Sequence, residues 1–253
     1  MPRATTNWFN PKPTCVILAG GKGERILPLS LTKQKTLIEI NNVPILRYVI
    51  DYWRPFCGKF IFLVHYKKEE VIQFVKTTGI HASFIEVSAL RGIADAVSYV
   101  ENHIQGRFAV VLSDCVCKGE FLFPENMRQG VGVIETANEA DISRSYSTEI
   151  KDNFIQKVVE KPKHLPNNLC GMGFYFFDER VFKFIKETPP SLVRDAIEIT
   201  DVIQKMIDHG EKISPVFFNG HYINVTYPED ISRAERIFSH DGRSIHKEMH
   251  PKS

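Results

Sequence analysis

Several classes of protein are excluded by what this 253-residue sequence lacks. It contains no run approaching the 18 apolar residues that a transmembrane helix needs, and its first thirteen residues lack the apolar core of a signal peptide. Lys and Arg (32) barely outnumber Asp and Glu (30), for a net charge of +2 without a long basic block. The chain therefore lacks the excess of positive charge with which a protein binds nucleic acid by releasing counterions. We expect a cytoplasmic protein that binds neither a membrane nor nucleic acid.

Fifteen glycines and fourteen prolines are too few for a collagen-like or low-complexity chain. A hydrophobic content of 43% is too high for general disorder, and the chain is long enough to bury a large core. We expect one domain over residues 14–238, with an N-terminal extension at 1–13 and a flexible C-terminal tail at 239–253.

Cysteine is also sparse, with five residues and no CxxC pair. Cys115 and Cys117 form only a CxC, which we interpret as reduced, partly buried thiols rather than metal ligands. The polar tail carries three histidines that could chelate a metal, although a frayed terminus is the interpretation we favour.

The sequence does contain a repeated alternation of short β-branched apolar runs with segments of helical spacing. This alternation predicts an α/β protein with a mostly parallel sheet covered by helices. The predicted strands lie at 15–19, 60–65, 83–87, 108–112, 131–135, 155–159, 173–177 and 213–218. The predicted helices lie at 45–54, 68–77, 93–103, 179–187, 196–209 and 228–238, and residues 136–154 are expected to form loops or a β-hairpin.

The first predicted strand runs directly into the sequence LAGGKGERILPL at 18–29. Three glycines in four positions let the backbone approach a ligand closely and aim N–H groups at phosphate oxygens. A Walker A loop is excluded because Val16 stands where its first glycine belongs and Gly23 stands where Ser or Thr belongs. Ile26 replaces the third glycine of the dinucleotide fingerprint.

Together with KQKTL at 33–37, this loop resembles the signature of the sugar nucleotidyltransferases, an LAGGxGTRLxPLT loop followed by PKxL. Further motifs follow in the family's order, and the resemblance extends from about residue 14 to residue 236. They are GIADA (92–96), LSD (112–114), VEKP (159–162), MGFYF (172–176), EITD (198–201), and YINV (222–225) with PED (228–230). The resemblance implies a Rossmann-like three-layer sandwich around a mostly parallel mixed sheet, the GT-A-like nucleotidyltransferase fold.

The resemblance also implies the reaction, in which a sugar 1-phosphate attacks the α-phosphorus of an NTP and releases pyrophosphate. A phosphate monoester has its second pKa near ~6, so the attacking oxygen needs no protein base. Catalysis should therefore consist of positioning and positive charge. The expected partners are an NTP and a phosphorylated small molecule. Relatives often assemble into oligomers, and the sequence leaves the oligomeric state open.

The family motifs assign roles to individual residues of this chain. The implied nucleotide-binding residues are Leu18, Ala19, Gly20, Gly21, Gly23 and Gly92. The implied catalytic cations are Arg25, Lys35 and Lys161, and the implied sugar-phosphate contacts are Glu160, Gly173 and Glu198. Asp114 and Asn224 are the implied ligands of Mg²⁺, an oxygen-only set of the kind this ion prefers.

The chain also departs from the family pattern at several positions. Glu24 stands where Thr is usual, Thr36 where Pro is usual, Ile93 where Thr is usual and Thr226 where Gly is usual. Asn224 stands where many relatives have Asp. An amide oxygen is a legitimate Mg²⁺ ligand but removes one negative charge, so metal affinity should fall rather than vanish.

Three alternatives stay open at the level of sequence. One is a cytidylyltransferase acting on a non-sugar phosphate such as phosphocholine. Another is a nucleotide-binding regulatory homologue with weak catalysis, suggested by Asn224 and Glu24. An NAD-dependent oxidoreductase ranks last. The sequence leaves the base open, because the Gly92 turn would contact it largely through the backbone, and it leaves the acceptor open as well.

Overall fold

The computed structural model describes residues 7–89, 91–191 and 195–239. Its strands are β1 (Thr14–Leu18), β2 (Glu39–Ile40), β3 (Val43–Pro44), β4 (Lys59–Val64), β5 (Ala82–Glu86), β6 (Phe108–Leu112), β7 (Cys115–Leu122), β8 (Gln129–Glu135), β9 (Tyr146–Lys151), β10 (Phe154–Glu160), β11 (Leu169–Phe177) and β12 (Ile213–Asn224). Its helices are α1 (Leu29–Thr32), α2 (Ile45–Trp53), α3 (Lys68–Lys76), α4 (Ile93–Ser98), α5 (Glu139–Arg144), α6 (Arg180–Glu187), α7 (Ile199–Asp208) and α8 (Pro228–Phe238). Short 3₁₀ turns lie at Asn7–Phe9, Glu24–Ile26, Lys35–Leu37 and Glu101–His103.

A large mixed sheet runs in the order β5-β4-β1-β6-β11-β8-β12-β10-β9, with β7 paired to β12. The first half, β5-β4-β1-β6, is wholly parallel. In the second half only β8 and β12 pair in parallel, and the other pairings are antiparallel. The mixed sheet expected from the sequence is confirmed, but the expectation that it is mostly parallel is wrong, since four of its ten strand pairings are parallel and six are antiparallel. The parallel pairing is concentrated in the half that carries the glycine loop.

The two faces of this sheet bury separate hydrophobic clusters, as the alternation of side chains along each strand requires. Cys15 and Ile17 of β1 belong to a cluster that includes side chains of α2, α3 and α8. Val16, between them, belongs to a cluster that includes side chains of α4, α6 and α7. Helices thus cover both faces, which confirms the three-layer sandwich.

All eight predicted strands and all six predicted helices are present, with shifts at their ends. The sequence interpretation missed β7, because its Lys118-Gly119-Glu120 centre lacks an apolar alternation. This strand forms through long-range pairing, in which Gly119 lies opposite Gly220 of β12. Within 136–154 the structure has α5 and then β9, and β9 forms the expected hairpin with β10.

The N-terminal extension packs on the domain rather than away from it. Trp8 is 1% exposed, and its ring lies 5.2 Å from that of Phe176 and 6.1 Å from that of Phe123. The predicted flexible tail lies outside the described residues apart from Ser239. All five cysteines are free and buried. Within the described ranges, no helix combines the length and apolar character that crossing a bilayer requires.

Replacing Trp8 tests whether the extension belongs to the folded unit. Trp8→Ala leaves a cavity beside Phe176 and should lower the free energy of unfolding by about 3–5 kcal/mol. The exposed Lys12 of the same segment is the matched control, and Lys12→Ala should change it by about 0.5 kcal/mol or less. Urea denaturation measures both, and equal effects of the two substitutions would contradict the packing described here.

Candidate functional site

A cavity of about 640 Å³ opens at the carboxyl ends of the parallel strands β1, β4 and β6. Ligand sites of open α/β sheets lie at this edge because the loops that follow the strands converge there. Residues of the glycine loop line one wall: Gly20, Gly21, Lys22, Gly23, Glu24 and Arg25. The other lining residues are Leu18, Lys35, Thr36, Leu63, Val87, Gly92, Ile93, Ala96, Leu112, Ser113, Asp114, Glu198 and Thr226.

The glycine loop depends on the small size of its residues. Gly23 has φ +69°, and a Cβ there would lie 2.9 Å from the Cβ of Lys35. Any larger residue would therefore push Lys35 away from the loop. Gly21 has no atom within 4 Å of the position a Cβ would take, so the cavity is open at this point. Ala19 is not in the lining, since it is fully buried and donates its N–H to the Leu63 carbonyl at 2.8 Å.

Lys35 and Asp114 form an ion pair inside the cavity, with Nζ 2.5 Å from Oδ2. Their side chains are only 10% and 23% exposed. The hydroxyl of Ser113 donates to the Leu18 carbonyl at 2.5 Å, which holds the end of β6 against the end of β1. A cation and a carboxylate are therefore fixed opposite the glycine loop.

Asn224 does not line the cavity, but its backbone lies beside that of Asp114, along the neighbouring strand. It is opposite Cys115 in the register of β12 with β7, and the N–H of Val225 donates to the Asp114 carbonyl at 2.9 Å. The Asn224 amide oxygen accepts a hydrogen bond from the Thr226 hydroxyl at 3.1 Å. Buried Asp230 accepts from the N–H of Thr226, also at 2.9 Å, and so fixes the segment that follows.

The donor set fits a magnesium ion better than a zinc ion. Asp114 and Asn224 both offer oxygen, and Mg²⁺ takes few protein ligands and fills its octahedron with water and substrate phosphates. Across the described ranges, no three His, Cys, Asp or Glu side chains are grouped so that they could hold a metal ion.

The far end of the cavity is formed by the Gly92 turn and the segment before α7. Gly92 has φ +95°, and a Cβ there would lie 2.3 Å from the carbonyl oxygen of Ile197. The N–H of Ala94 donates to that oxygen at 3.1 Å, and the N–H of Ile197 donates to the Arg91 carbonyl at 2.9 Å. This docking brings Glu198 to the cavity, beside an apolar wall that consists of Leu63, Val87, Ile93 and Ala96.

Glu160 and Lys161 form a second polar group that does not line the cavity. Lys161 Nζ lies 3.2 Å from Glu160 Oε1, and the Thr200 hydroxyl donates to Oε2 at 3.3 Å. Burial raises the pKa of Glu160 above its usual value, with Lys161 acting against the rise and Glu198 adding to it. Glu160 and Glu198, the two acidic residues predicted to contact the sugar, are thus close enough to interact electrostatically.

Gly173 is the predicted site residue whose surroundings differ most from the expected role. A Cβ there would lie 2.6 Å from Cys115 Sγ and 2.9 Å from Leu112 Cδ1. Its N–H donates to the Tyr222 hydroxyl at 3.0 Å. The room left by this glycine is therefore taken by protein side chains, whereas a sugar was expected to use it.

Some cavity residues were not assigned from the sequence as site residues. Lys22, Glu24, Thr36 and Thr226 line the cavity, although three of them had been noted only as departures from the family pattern. Gln34 is fully buried behind the loop, and nothing in its local sequence signalled this.

Arg25, at the mouth of the glycine loop, lies near the ring of Tyr227. The guanidinium of Arg25 lies 5.9 Å from the ring centroid of Tyr227, and that of Arg144 lies 4.5 Å from it. Both distances allow a cation–π interaction. Tyr227 therefore links the loop to α5.

Comparison with known proteins places this geometry in a family. The family model described as Nucleotidyl transferase matches residues 14–235. UTP–glucose-1-phosphate uridylyltransferase AglF of Haloferax volcanii is 30% identical over 231 residues, covering 87% of this chain and 94% of that protein. Bifunctional protein GlmU of Methanocaldococcus jannaschii is 29% identical over 221 residues, covering 87% of this chain and 53% of that protein. The chain spans about half the length of the GlmU relatives.

Solved structures show the same fold. The inositol-1-phosphate CTP transferase from T. maritima superposes with a TM-score of 0.77 at 16% identity, covering 90% of this chain and 95% of that one. A UDP-glucose pyrophosphorylase complexed with UDP-glucose superposes with a TM-score of 0.74 at 21% identity, covering 90% and 98%. With a family match over nearly the whole described chain and this shared fold, the protein belongs to the nucleotidyl transferase family.

Proposed function

We propose that this protein joins an NTP to a sugar 1-phosphate, giving an NDP-sugar and pyrophosphate. The observation that carries the proposal is the cavity itself, in which the glycine loop faces the Lys35–Asp114 pair. The names of the relatives, a glucose-1-phosphate uridylyltransferase among them, support the same class of reaction. A cytoplasmic location, a domain bounded at 14–238 and assembly into oligomers remain predictions.

In this reaction an acceptor phosphate oxygen forms a bond to the α-phosphorus of the NTP while the bond to the pyrophosphate oxygen breaks. The attacking oxygen is already ionised near neutral pH, so no residue has to remove a proton. The main obstacle is repulsion between two polyanions. The chain should therefore contribute positive charge and alignment.

In this proposal the glycine loop and its cations bind the triphosphate. Backbone N–H groups around Gly20, Gly21 and Gly23 bind phosphate oxygens, because Gly21 leaves the cavity open beside them. Arg25 offsets charge on the α-phosphate and the departing pyrophosphate. Lys35 contacts the phosphates from the opposite side, within reach of both the loop and Asp114.

Asp114 and Asn224 would hold the metal ion beside these phosphates. When bound, Mg²⁺ would supply positive charge that offsets the repulsion between the two polyanions. Asn224 brings no formal charge, so the protein offers one carboxylate where many relatives offer two. Lys35 shares that carboxylate, since its Nζ contacts Asp114 Oδ2.

On the acceptor side, Lys161 binds the sugar phosphate, and Glu160 and Glu198 accept hydrogen bonds from sugar hydroxyls. Glu198 lines the cavity, and Glu160 is coupled to it electrostatically. The Gly92 turn meets the nucleobase through its backbone. A sugar contact at Gly173 remains a prediction, since Cys115 and Leu112 occupy the adjacent space.

The activity is tested by measuring pyrophosphate release over a panel of NTPs and acceptors. Glucose 1-phosphate, inositol 1-phosphate and phosphocholine separate sugar from non-sugar acceptors. We expect Mg²⁺-dependent release with a sugar 1-phosphate, and loss of turnover with retained fold in Asp114→Ala. Nucleotide binding without release for any pair would instead identify a regulatory homologue, and preference for phosphocholine with CTP would identify the cytidylyltransferase.

The magnesium assignment is tested by restoring the usual carboxylate. Asn224→Asp adds one negative charge beside Asp114, so half-maximal activity should need about tenfold less Mg²⁺, or about 1.4 kcal/mol of binding free energy. Asn153→Asp, in the exposed β9–β10 turn, makes the same charge change away from the cavity and should leave the Mg²⁺ requirement unaltered. An identical requirement in both variants and in the unmodified protein would remove Asn224 from the metal site.

The burial of Glu160 predicts a dependence of stability on pH. Because its pKa is raised in the folded state, Glu160 favours the fold below the usual glutamate pKa of about 4.3, and this contribution is lost as the pH rises through the folded value. A glutamine does not ionise, so Glu160→Gln should not lose stability at this position as the pH rises. The melting temperature of the variant relative to wild type should therefore increase as the pH rises from about 4 to about 7. Differential scanning calorimetry measures this difference in melting temperature. A difference that stays constant or decreases would contradict a raised pKa of Glu160.

A further inference from the structure

Gln34 connects the two segments of the chain that carry the phosphate-binding groups. Its side chain is fully buried, with 0% exposure. The amide nitrogen donates to the carbonyl oxygens of Ala19 at 3.1 Å and Gly21 at 3.2 Å. The amide oxygen accepts from both the N–H and the hydroxyl of Thr36, each at 2.6 Å.

The partners of Gln34 require a carboxamide. Backbone carbonyls only accept hydrogen bonds, so the two at Ala19 and Gly21 need two donor hydrogens from one atom. A backbone N–H only donates, so Thr36 needs an acceptor. A glutamate at this position would face two carbonyl oxygens with a carboxylate oxygen, and a methionine would offer no hydrogen bond to the buried Ala19 and Thr36 or to Gly21.

Because the peptide bond is planar, these hydrogen bonds also fix the direction of the N–H groups of the loop. In a planar trans peptide the N–H points away from the C=O of the same unit. Drawing the Ala19 carbonyl toward Gln34 therefore aims the N–H of Gly20 in the opposite direction. In the same way, the hydrogen bond from Gln34 to the Gly21 carbonyl directs the N–H of Lys22 away from Gln34. Both Gly20 and Lys22 line the cavity.

The other end of Gln34 sets the position of Lys35. Gln34 Oε1 fixes Thr36 on one side of Lys35, and the backbone N–H of Gln34 donates to Glu70 Oε2 of α3 at 2.8 Å on the other. Lys35 is thus held between two anchored neighbours while its Nζ reaches Asp114. One buried side chain thereby sets the relative position of the loop N–H groups and the Lys35 ammonium.

We propose that Gln34 is a positioning residue for the triphosphate, presenting the N–H groups of Gly20 and Lys22 and the ammonium of Lys35 as one rigid unit. The inference rests on the proposed function, because it names the part of that site on which NTP binding depends. Gln34 does not line the cavity, and it acts through the loop and through Lys35. Its loss should therefore weaken NTP binding selectively.

The test uses the full chain with Gln34→Met and Gln34→Glu. Gln34→Met should raise the KM for the NTP, and the Kd from calorimetry, about tenfold or more, because the donors to charged phosphates lose alignment. The KM for the sugar 1-phosphate should change less than about twofold. Gln34→Glu should bind the NTP poorly at neutral pH and recover part of its affinity as the pH falls, since a protonated carboxyl regains one O–H donor.

Gln129 provides the matched control. It is equally buried at 0% exposure and donates from its amide nitrogen to Glu211 Oε2 at 3.3 Å. It pairs with Ile213 at the start of β12, whereas the cavity lies near the last residue of that strand, Asn224. Gln129→Met should leave the KM for the NTP unchanged.

The outcomes separate this inference from the proposed function. If the wild-type protein binds the NTP and the Gln34 variants bind it with the same affinity, the positioning role is overturned and the proposed function is not. A parallel rise in both KM values, or a loss of stability without a change of KM, would assign Gln34 a merely structural role. If Gln34→Met does not fold, the pH-dependent affinity of Gln34→Glu decides. An absence of NTP binding in the wild-type protein would overturn the proposed function as well.

Discussion

The contact between Lys35 and Asp114 is the interaction on which the site depends. Two ionised groups, each largely shielded from water, lie 2.5 Å apart at the floor of a cavity. Removing charges from water costs several kcal/mol per ion, and a pair in this position offsets that cost only while it stays intact. Such a pair keeps a cation and a carboxylate at the proposed binding site for phosphates and a metal ion, and neither charge is buried alone.

The fold maintains this contact with residues that are distant in sequence. The parallel register sets Leu18 of β1 beside Leu112 of β6, and Ser113 extends the contact by one hydrogen bond. Gly23 gives Lys35 room to approach the loop, and Gln34 anchors the chain just before it. The antiparallel pair of β7 and β12 then adds Asn224 beside Asp114. The parallel half of the sheet thus carries the proposed nucleotide side, and the antiparallel half contributes the proposed second metal ligand.

Much of this arrangement could be predicted from the sequence, for identifiable reasons. Continuous apolar runs such as 60–65 mark buried parallel strands, and three glycines in four positions mark a loop that approaches a ligand. By contrast, the centre of β7 consists of two charged residues and a glycine, so its sequence lacks a strand pattern and only its long-range partner reveals it. The environment of Gly173 depends on two side chains 58 and 61 positions earlier, Cys115 and Leu112, and no local pattern contains that information. Gln34 was missed for the same reason, because a buried amide between two lysines looks like a surface residue in sequence.

The most direct measurement is a crystal structure with a bound NTP and Mg²⁺. The account predicts that the triphosphate lies against the N–H groups of the glycine loop, that Lys35 Nζ contacts a phosphate oxygen, and that Asp114 coordinates the ion. A triphosphate bound elsewhere, or one bound in the cavity while Lys35 contacts only Asp114, would contradict the account.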